Sequence, residues 1–240
     1  MRGPLLITLP IAMLATALAA QDFEGQRRKL LDEVREDVRF TSGYLDRDEL
    51  APAVLAALGK VPRHEFVPPD LRRHAYENRP LPIGYGQTIS QPYIVAIMTD
   101  LLELEAGDAV LEVGTGSGYQ AAILAELVAQ VYSIEIIPEL GREVRQRLTR
   151  LGYDKVATRI GDGYHGWPEH APFDAIIVTA AGSHVPPPLL AQLRPGGRMV
   201  LPVGGPFSTQ QLVLLTKTAD GEVQSRQVLP VAFVPLTGEH

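Results

Sequence analysis

A chain of 240 residues, 45% hydrophobic and 21% charged, fits one globular α/β domain with accessory structure rather than two independent domains. It contains no cysteine, which excludes a disulfide framework, a thiolate metal site and a cysteine nucleophile. A formal net charge of −6, with no run of five or six lysines and arginines, argues against a protein that works by neutralising a phosphate backbone, so no nucleic-acid partner is expected.

Residues 1–20 hold one arginine and then an uncharged apolar stretch from Leu5 to Ala20. That is secretory-signal composition, with Ala17 and Ala19 forming an A-x-A pattern before Ala20. Pro4 and Pro10 weaken the alternative of a buried helix. The stretch is also shorter than the roughly 20 residues a membrane helix needs, so no stable membrane span is expected. From Asp22 to Arg39, Leu30, Leu31, Val34 and Val38 recur at helical spacing and predict an amphipathic helix. A second helix is expected over Glu49 to Leu58, with Gly59 as its stop. The proline- and glycine-rich stretch from Val61 to Gly86 reads as a long ordered loop with one helical turn near Asp70 to Ala75, and long loops in compact domains tend to be functional. Helix returns from Pro92 to Leu104, with proline at a tolerated first-turn position.

After Gly107 the pattern changes. Ala109–Val113, Val131–Glu135, Val156–Ile160, Ala175–Val178 and Arg198–Val203 are apolar strand candidates, and Tyr119–Val128, Glu139–Leu151 and Pro187–Leu193 are the helices between them. Continuous apolar strands alternating with helices imply a parallel sheet covered on both faces. Gln210–Thr216 and Val223–Val234 follow without an intervening helix, and Ala219-Asp220-Gly221 supplies turn chemistry for a hairpin. The expected architecture is a doubly wound, mostly parallel α/β sheet with an antiparallel C-terminal edge and an N-terminal helical extension. Its expected divisions are a signal segment at 1–20, N-terminal helices and an active-site loop at 21–106, and a ligand-binding α/β unit at 107–240.

Glu112-Val113-Gly114-Thr115-Gly116-Ser117-Gly118 runs from the first strand of that unit into a helix. Glycines at such a turn permit backbone conformations and a close ligand approach that a Cβ would block, and in open α/β sheets the turn lies where ligands bind. A dinucleotide fingerprint needs G-x-G-x-x-G. Here the third glycine comes one residue early. The spacing G-x-G-x-G led by Glu112 is similar to the S-adenosylmethionine loop of class I methyltransferases, whose ligand carries a sulfonium and an ammonium group that an acid suits. Glu135 ends the second strand, 21 residues beyond Gly114, where an acid can accept hydrogen bonds from ribose hydroxyls. Asp162, in Gly161-Asp162-Gly163 after the third strand, is placed to meet the adenine amino group. Singly each reads as an ordinary strand-end acid or turn; together they mark three successive strand ends.

Upstream, Leu81-Pro82-Ile83-Gly84-Tyr85-Gly86-Gln87-Thr88-Ile89-Ser90-Gln91-Pro92-Tyr93 closely resembles the protein-L-isoaspartate O-methyltransferases. The likeness runs from Val61-Pro62-Arg63 to Val234-Pro235-Leu236-Thr237, through Pro172-Phe173-Asp174-Ala175-Ile176, Pro195-Gly196-Gly197-Arg198 and Leu201-Pro202-Val203-Gly204. The resemblance implies that Ser90 is the active-site hydroxyl, with Thr88 and Ile89 in a wall shared by two binding sites. It implies that Glu112, Gly114, Gly116, Gly118, Glu135, Asp162, Gly163 and Thr237 hold S-adenosylmethionine, and that Val234, Pro235 and Leu236 join Ser90 in binding substrate. The implied reaction methylates the α-carboxylate of L-isoaspartyl residues in damaged proteins and peptides. A monomer is the expectation.

Ser90 alone would read as a loop serine or cap before Pro92. No G-x-S-x-G elbow is present, and His64-Glu65 is followed by Pro68 where a zinc helix needs its second histidine, so neither a serine hydrolase nor a metal is expected. Two rivals remain: a methyltransferase with a different substrate, and a non-catalytic protein that binds isoaspartyl sites or the nucleoside. The second gains weight from the signal-like segment, because S-adenosylmethionine is made in the cytoplasm. Translation from a start downstream of Met1 would remove that segment.

Overall fold

The computed structural model describes residues 22–205 and 209–238. The expected signal segment lies outside them. The first helix, α1 (Phe23–Phe40), starts where Asp22 caps it by accepting from the Gly25 N–H at 2.8 Å, and it buries Leu30, Val34 and Val38 along one face. A short helix α2 (Ser42–Leu45) follows. The next helix, α3 (Pro52–Lys60), begins and ends later than the expected 49–58. Pro52 supplies the start, and Gly59 is carried inside the last turn instead of stopping it, its carbonyl receiving Arg27 Nη1 at 2.8 Å.

The stretch expected to be a loop is more regular than its composition suggests. Two 3₁₀ turns, Arg63–Glu65 and Pro69–His74, are followed by an antiparallel hairpin of β1 (Leu81–Gly84) and β2 (Gln87–Ile89). Helix α4 (Pro92–Leu101) stops short of Leu104, since Glu103 takes a positive φ of 50° that a helix cannot continue through.

The main sheet has seven strands: β3 (Ala109–Val113), β4 (Gln130–Glu135), β5 (Val156–Ile160), β6 (Phe173–Val178), β7 (Leu193–Val203), β8 (Gln210–Lys217) and β9 (Val223–Val231). Their order is β5-β4-β3-β6-β7-β8-β9, parallel from β5 to β7 and antiparallel at β8 and β9. Strand β7 starts five residues before the expected Arg198, its pairing with β6 shifting register between Phe173 and Ala175. Helices α5 (Tyr119–Ala125), α6 (Pro138–Arg150) and α7 (Pro187–Gln192) connect the parallel strands. Successive strand residues point to opposite faces: Val110, Ala175, Ile177 and Val200 enter one hydrophobic cluster with α1, α3, α4, α5 and α6, whereas Leu111, Val113, Ile176, Val178 and Met199 enter a second with α7. The chain leaves β3 toward β4 on one side and returns to β6 on the other, so the topological switch point lies at the carboxyl end of β3. No helix among the described residues is long and apolar enough to cross a membrane.

Candidate active site

The glycine loop leaves β3 at this switch point. Gly114 adopts φ +96°, and a Cβ there would stand 2.6 Å from Thr179 Oγ1, so both the conformation and the close approach of the β6 end require glycine. Thr179 Oγ1 donates to Gly114 O at 2.7 Å, pinning the turn to β6. Gly118, at φ +84°, caps α5 and lies against α6, where a Cβ would meet Val144 Cγ2 at 2.5 Å. It shapes the turn from behind and does not line the cleft.

Glu135 closes the cleft at the end of β4. Its Oε2 accepts from Gly116 N–H at 2.8 Å and its Oε1 from Ile137 N–H at 2.9 Å. Each carboxylate oxygen keeps capacity for a further donor. Gly163 lines the cleft from the third strand end, while the neighbouring Asp162 accepts from Tyr164 N–H at 2.9 Å and is set back from the lining.

Glu112, expected to help hold the cofactor, does not line the cleft. Strand alternation turns its side chain beneath the loop, fully buried and opposite Ser133 in the β3–β4 register, and Ser133 Oγ donates to Glu112 Oε2. A second contact links Ser133 Oγ to Thr115 Oγ1 at 2.6 Å, so the acid reaches the loop through two hydroxyls. Burial pushes its carboxyl up to about 8, against the opposing effect of the Ser133 hydrogen bond.

The β1–β2 hairpin roofs the loop. A Cβ on Gly116 would lie 3.7 Å from Ile83 Cδ1, and Tyr85 at the tip donates to Glu143 Oε1 on α6 at 2.8 Å. Thr88 and Ile89 on β2 and Ser90 directly after it line the cleft, and Val234, Pro235, Leu236 and Thr237 line it from the other side. That second segment is not a continuation of β9, as had been expected through Val234. It turns away after Val231 and bridges to the loop beyond β6, with Ala181 N–H donating to Val234 O and Leu236 N–H to Ala181 O, both at 2.8 Å.

A second cavity meets the first at Thr88, Ser90, Thr179 and Val234, and Pro80, Ile94 and Phe233 give it an apolar side. Three residues that sequence reasoning passed over hold this junction together. Thr179 pins the glycine turn, Arg63 Nη2 donates to Ser90 O at 2.7 Å, and the Gln210 amide grips the Phe233 backbone through Phe233 N–H to Oε1 at 2.6 Å and Nε2 to Phe233 O at 3.1 Å.

A parallel sheet with an alternate-glycine turn at its switch point and an acid at the next strand end defines a class I S-adenosylmethionine methyltransferase. Residues 42–240 match the family model described as protein-L-isoaspartate(D-aspartate) O-methyltransferase. The chain is 61% identical to protein-L-isoaspartate O-methyltransferase 2 of Syntrophobacter fumaroxidans, covering 99% of this chain and 98% of that protein. It is 63% identical to the protein of the same name from a Polaromonas species, over 88% of this chain and all of that one. A solved protein-L-isoaspartate O-methyltransferase superposes with TM-score 0.73 at 29% identity, covering 85% of this chain and 66% of its own. A Plasmodium falciparum structure described as a beta-aspartate methyltransferase in complex with S-adenosyl-L-homocysteine shares the fold, with TM-score 0.72 at 23% identity and coverage of 88% and 98%. The chain belongs to the protein-L-isoaspartate O-methyltransferase family.

Proposed function

We propose that this protein transfers a methyl group from S-adenosylmethionine to the α-carboxylate of L-isoaspartyl residues in damaged proteins and peptides. The observation that carries the reading is the junction of two cavities at Thr88, Ser90, Thr179 and Val234. One cavity suits a nucleoside and the other, with its apolar side, suits a peptide.

The residues present fit the nucleoside. Gly116 leaves a slot under Ile83 that a Cβ would narrow, and the Glu135 carboxylate stands at the cleft wall with acceptor capacity for ribose hydroxyls. Gly114, Gly116, Gly163, Thr88, Ile89 and Thr237 would complete the holding set, with Glu112 and Gly118 supporting the loop and Asp162 flanking the adenine side. Bound S-adenosylmethionine supplies an electrophilic methyl carbon: the carboxylate oxygen forms the new O–C bond, the S–C bond breaks, and its electron pair stays on sulfur as a neutral thioether.

A carboxylate with an ordinary pKa near 4 is already ionised at neutral pH, so the protein needs no strong base. Its work is alignment. Ser90 Oγ donates to the acceptor carboxylate and orients one oxygen toward the first cavity, while the β1–β2 hairpin and the segment 234–237 exclude water. Exclusion favours the reaction because opposite charges are annihilated in it. Methoxide leaves an ester carbonyl far more readily than oxide leaves a carboxylate, so the neighbouring backbone nitrogen attacks that carbonyl, methanol is expelled and a succinimide closes, which water reopens partly as normal aspartate. The test is methyl transfer from labelled S-adenosylmethionine to paired peptides that differ only in isoaspartyl or aspartyl linkage. Label is expected on the isoaspartyl peptide alone, and label on neither, with the cofactor bound, would refute the reading.

A further inference from the structure

Arg63 is a buried cation without a counterion. It is fully buried on the 3₁₀ turn Arg63–Glu65, Nε donates to Ala75 O at 2.8 Å, and Nη2 donates to Ser90 O at 2.7 Å. Its guanidinium carbon lies 4.7 Å over the Tyr119 ring. The remaining nitrogen, Nη1, is buried with no hydrogen-bond partner, and no carboxylate stands within ion-pair distance of Arg63 among the described residues. Burial pushes the group down only to about 10, so it stays charged at neutral pH.

A well-packed hydrocarbon would fill such a position at less cost than an unpaired charge. What the charge adds must lie in what it faces. Two of its three neighbours, Ser90 and Tyr119, line the candidate active site. In a water-poor surrounding a charge is weakly screened, and Arg63 reaches the cavity wall through the Ser90 carbonyl at 2.7 Å.

We infer that Arg63 is a positioning residue for the methyl acceptor: its fork fixes the Ser90 backbone, and its charge draws the anionic α-carboxylate into place beside the Ser90 hydroxyl. The inference rests on the proposed function, since it requires a carboxylate at Ser90. Fork and charge act at different stages. The charge stabilises the acceptor most while it is still an anion, so it governs acceptor binding, whereas the fork governs alignment and hence turnover.

The test compares an isoaspartyl peptide with its neutral α-carboxamide counterpart as competing ligands, with S-adenosyl-L-homocysteine present. Wild type is expected to prefer the carboxylate by about tenfold or more, as charge complementarity in a buried site allows. Arg63→Met should lose that preference and raise KM, with cofactor affinity unchanged. Arg63→Lys, which keeps the charge without the fork, should retain the preference and lose kcat. A merely structural arginine would not alter the ratio between two peptides that differ only in charge. Wild type that binds both peptides equally, or a folded Arg63→Met that retains the preference, overturns this role. Should Arg63→Met fail to fold, Arg63→Lys decides, and loss of the preference there with unchanged kcat overturns it. Wild type that does not methylate the isoaspartyl peptide refutes the proposed activity and this role with it.

Discussion

The Gly116 backbone N–H donates to Glu135 Oε2 at 2.8 Å, which ties the turn after β3 to the acid at the end of β4. Glu135→Ala removes this link, the acceptor of Ile137 N–H and the carboxylate offered to ribose. Hydrogen bonds to a charged group contribute about 1.5–3 kcal/mol, so cofactor affinity should fall by about 10- to 100-fold. Calorimetric titration with S-adenosyl-L-homocysteine measures it, and equal affinity in wild type and variant would remove the ribose assignment.

Ser90→Ala should act on turnover instead. Ser90 lines both cavities, and loss of one orienting hydrogen bond to a carboxylate should lower kcat by about 10- to 100-fold. Cofactor affinity should change by less than about threefold. Single-turnover methylation with saturating cofactor separates the two effects, and an undiminished rate would dismiss Ser90 from the chemistry.

Glu112 predicts a pH-dependent stability. Burial raises its carboxyl to about 8 in the folded chain from the ordinary 4.5 of a free glutamate, so between those pH values the folded state keeps a proton that the unfolded state has lost. The contribution is fully present below about 4.5 and is lost as pH rises through 8, at most about 1.4 kcal/mol per pH unit. Glu112→Gln, neutral throughout, should lack this slope. Denaturant melts of both proteins from pH 5 to 8 provide the comparison; parallel curves would contradict the shift.

Gln210→Ala frees the Phe233 backbone from hydrogen bonds of 2.6 and 3.1 Å. A loss of about 1–2 kcal/mol of stability is expected from two such bonds. Peptide KM should rise while cofactor affinity holds, because Phe233 and Val234 wall the second cavity. Steady-state kinetics with each ligand varied in turn will tell; a cofactor effect as large as the peptide effect would speak against this division.

Much of this molecule is legible in its residues. Ala109–Val113 coincides with its expected bounds because a central strand covered on both faces reads as a short, mostly apolar run, whereas the edge strand Val156–Ile160, with Thr158 and Arg159 inside it and no residue fully buried, is marked by its β-branched residues and the turn glycine that follows. The β1–β2 hairpin escaped notice because Pro82 lies inside a four-residue strand, and proline ordinarily counts against strand. Gly59 misled for the opposite reason, since a glycine near a helix end is a statistical stop that packing overrode. Alternation along β3 could have shown Glu112 facing away from Val113 and under the loop. No local signal could have revealed Arg63, Thr179 or Gln210, whose partners lie 27, 65 and 23 residues away along the chain.

The four residues shared by the two cavities are drawn from distant points of the polypeptide, Thr88 and Ser90 early, Thr179 in the middle and Val234 late. During biosynthesis the glycine turn leaves the ribosome well before the segment that completes the opposing wall. Val234, Pro235, Leu236 and Thr237 wall the nucleoside cavity and Val234 walls its neighbour as well, so both sites close in one step, when that late segment pairs with Ala181 beyond β6.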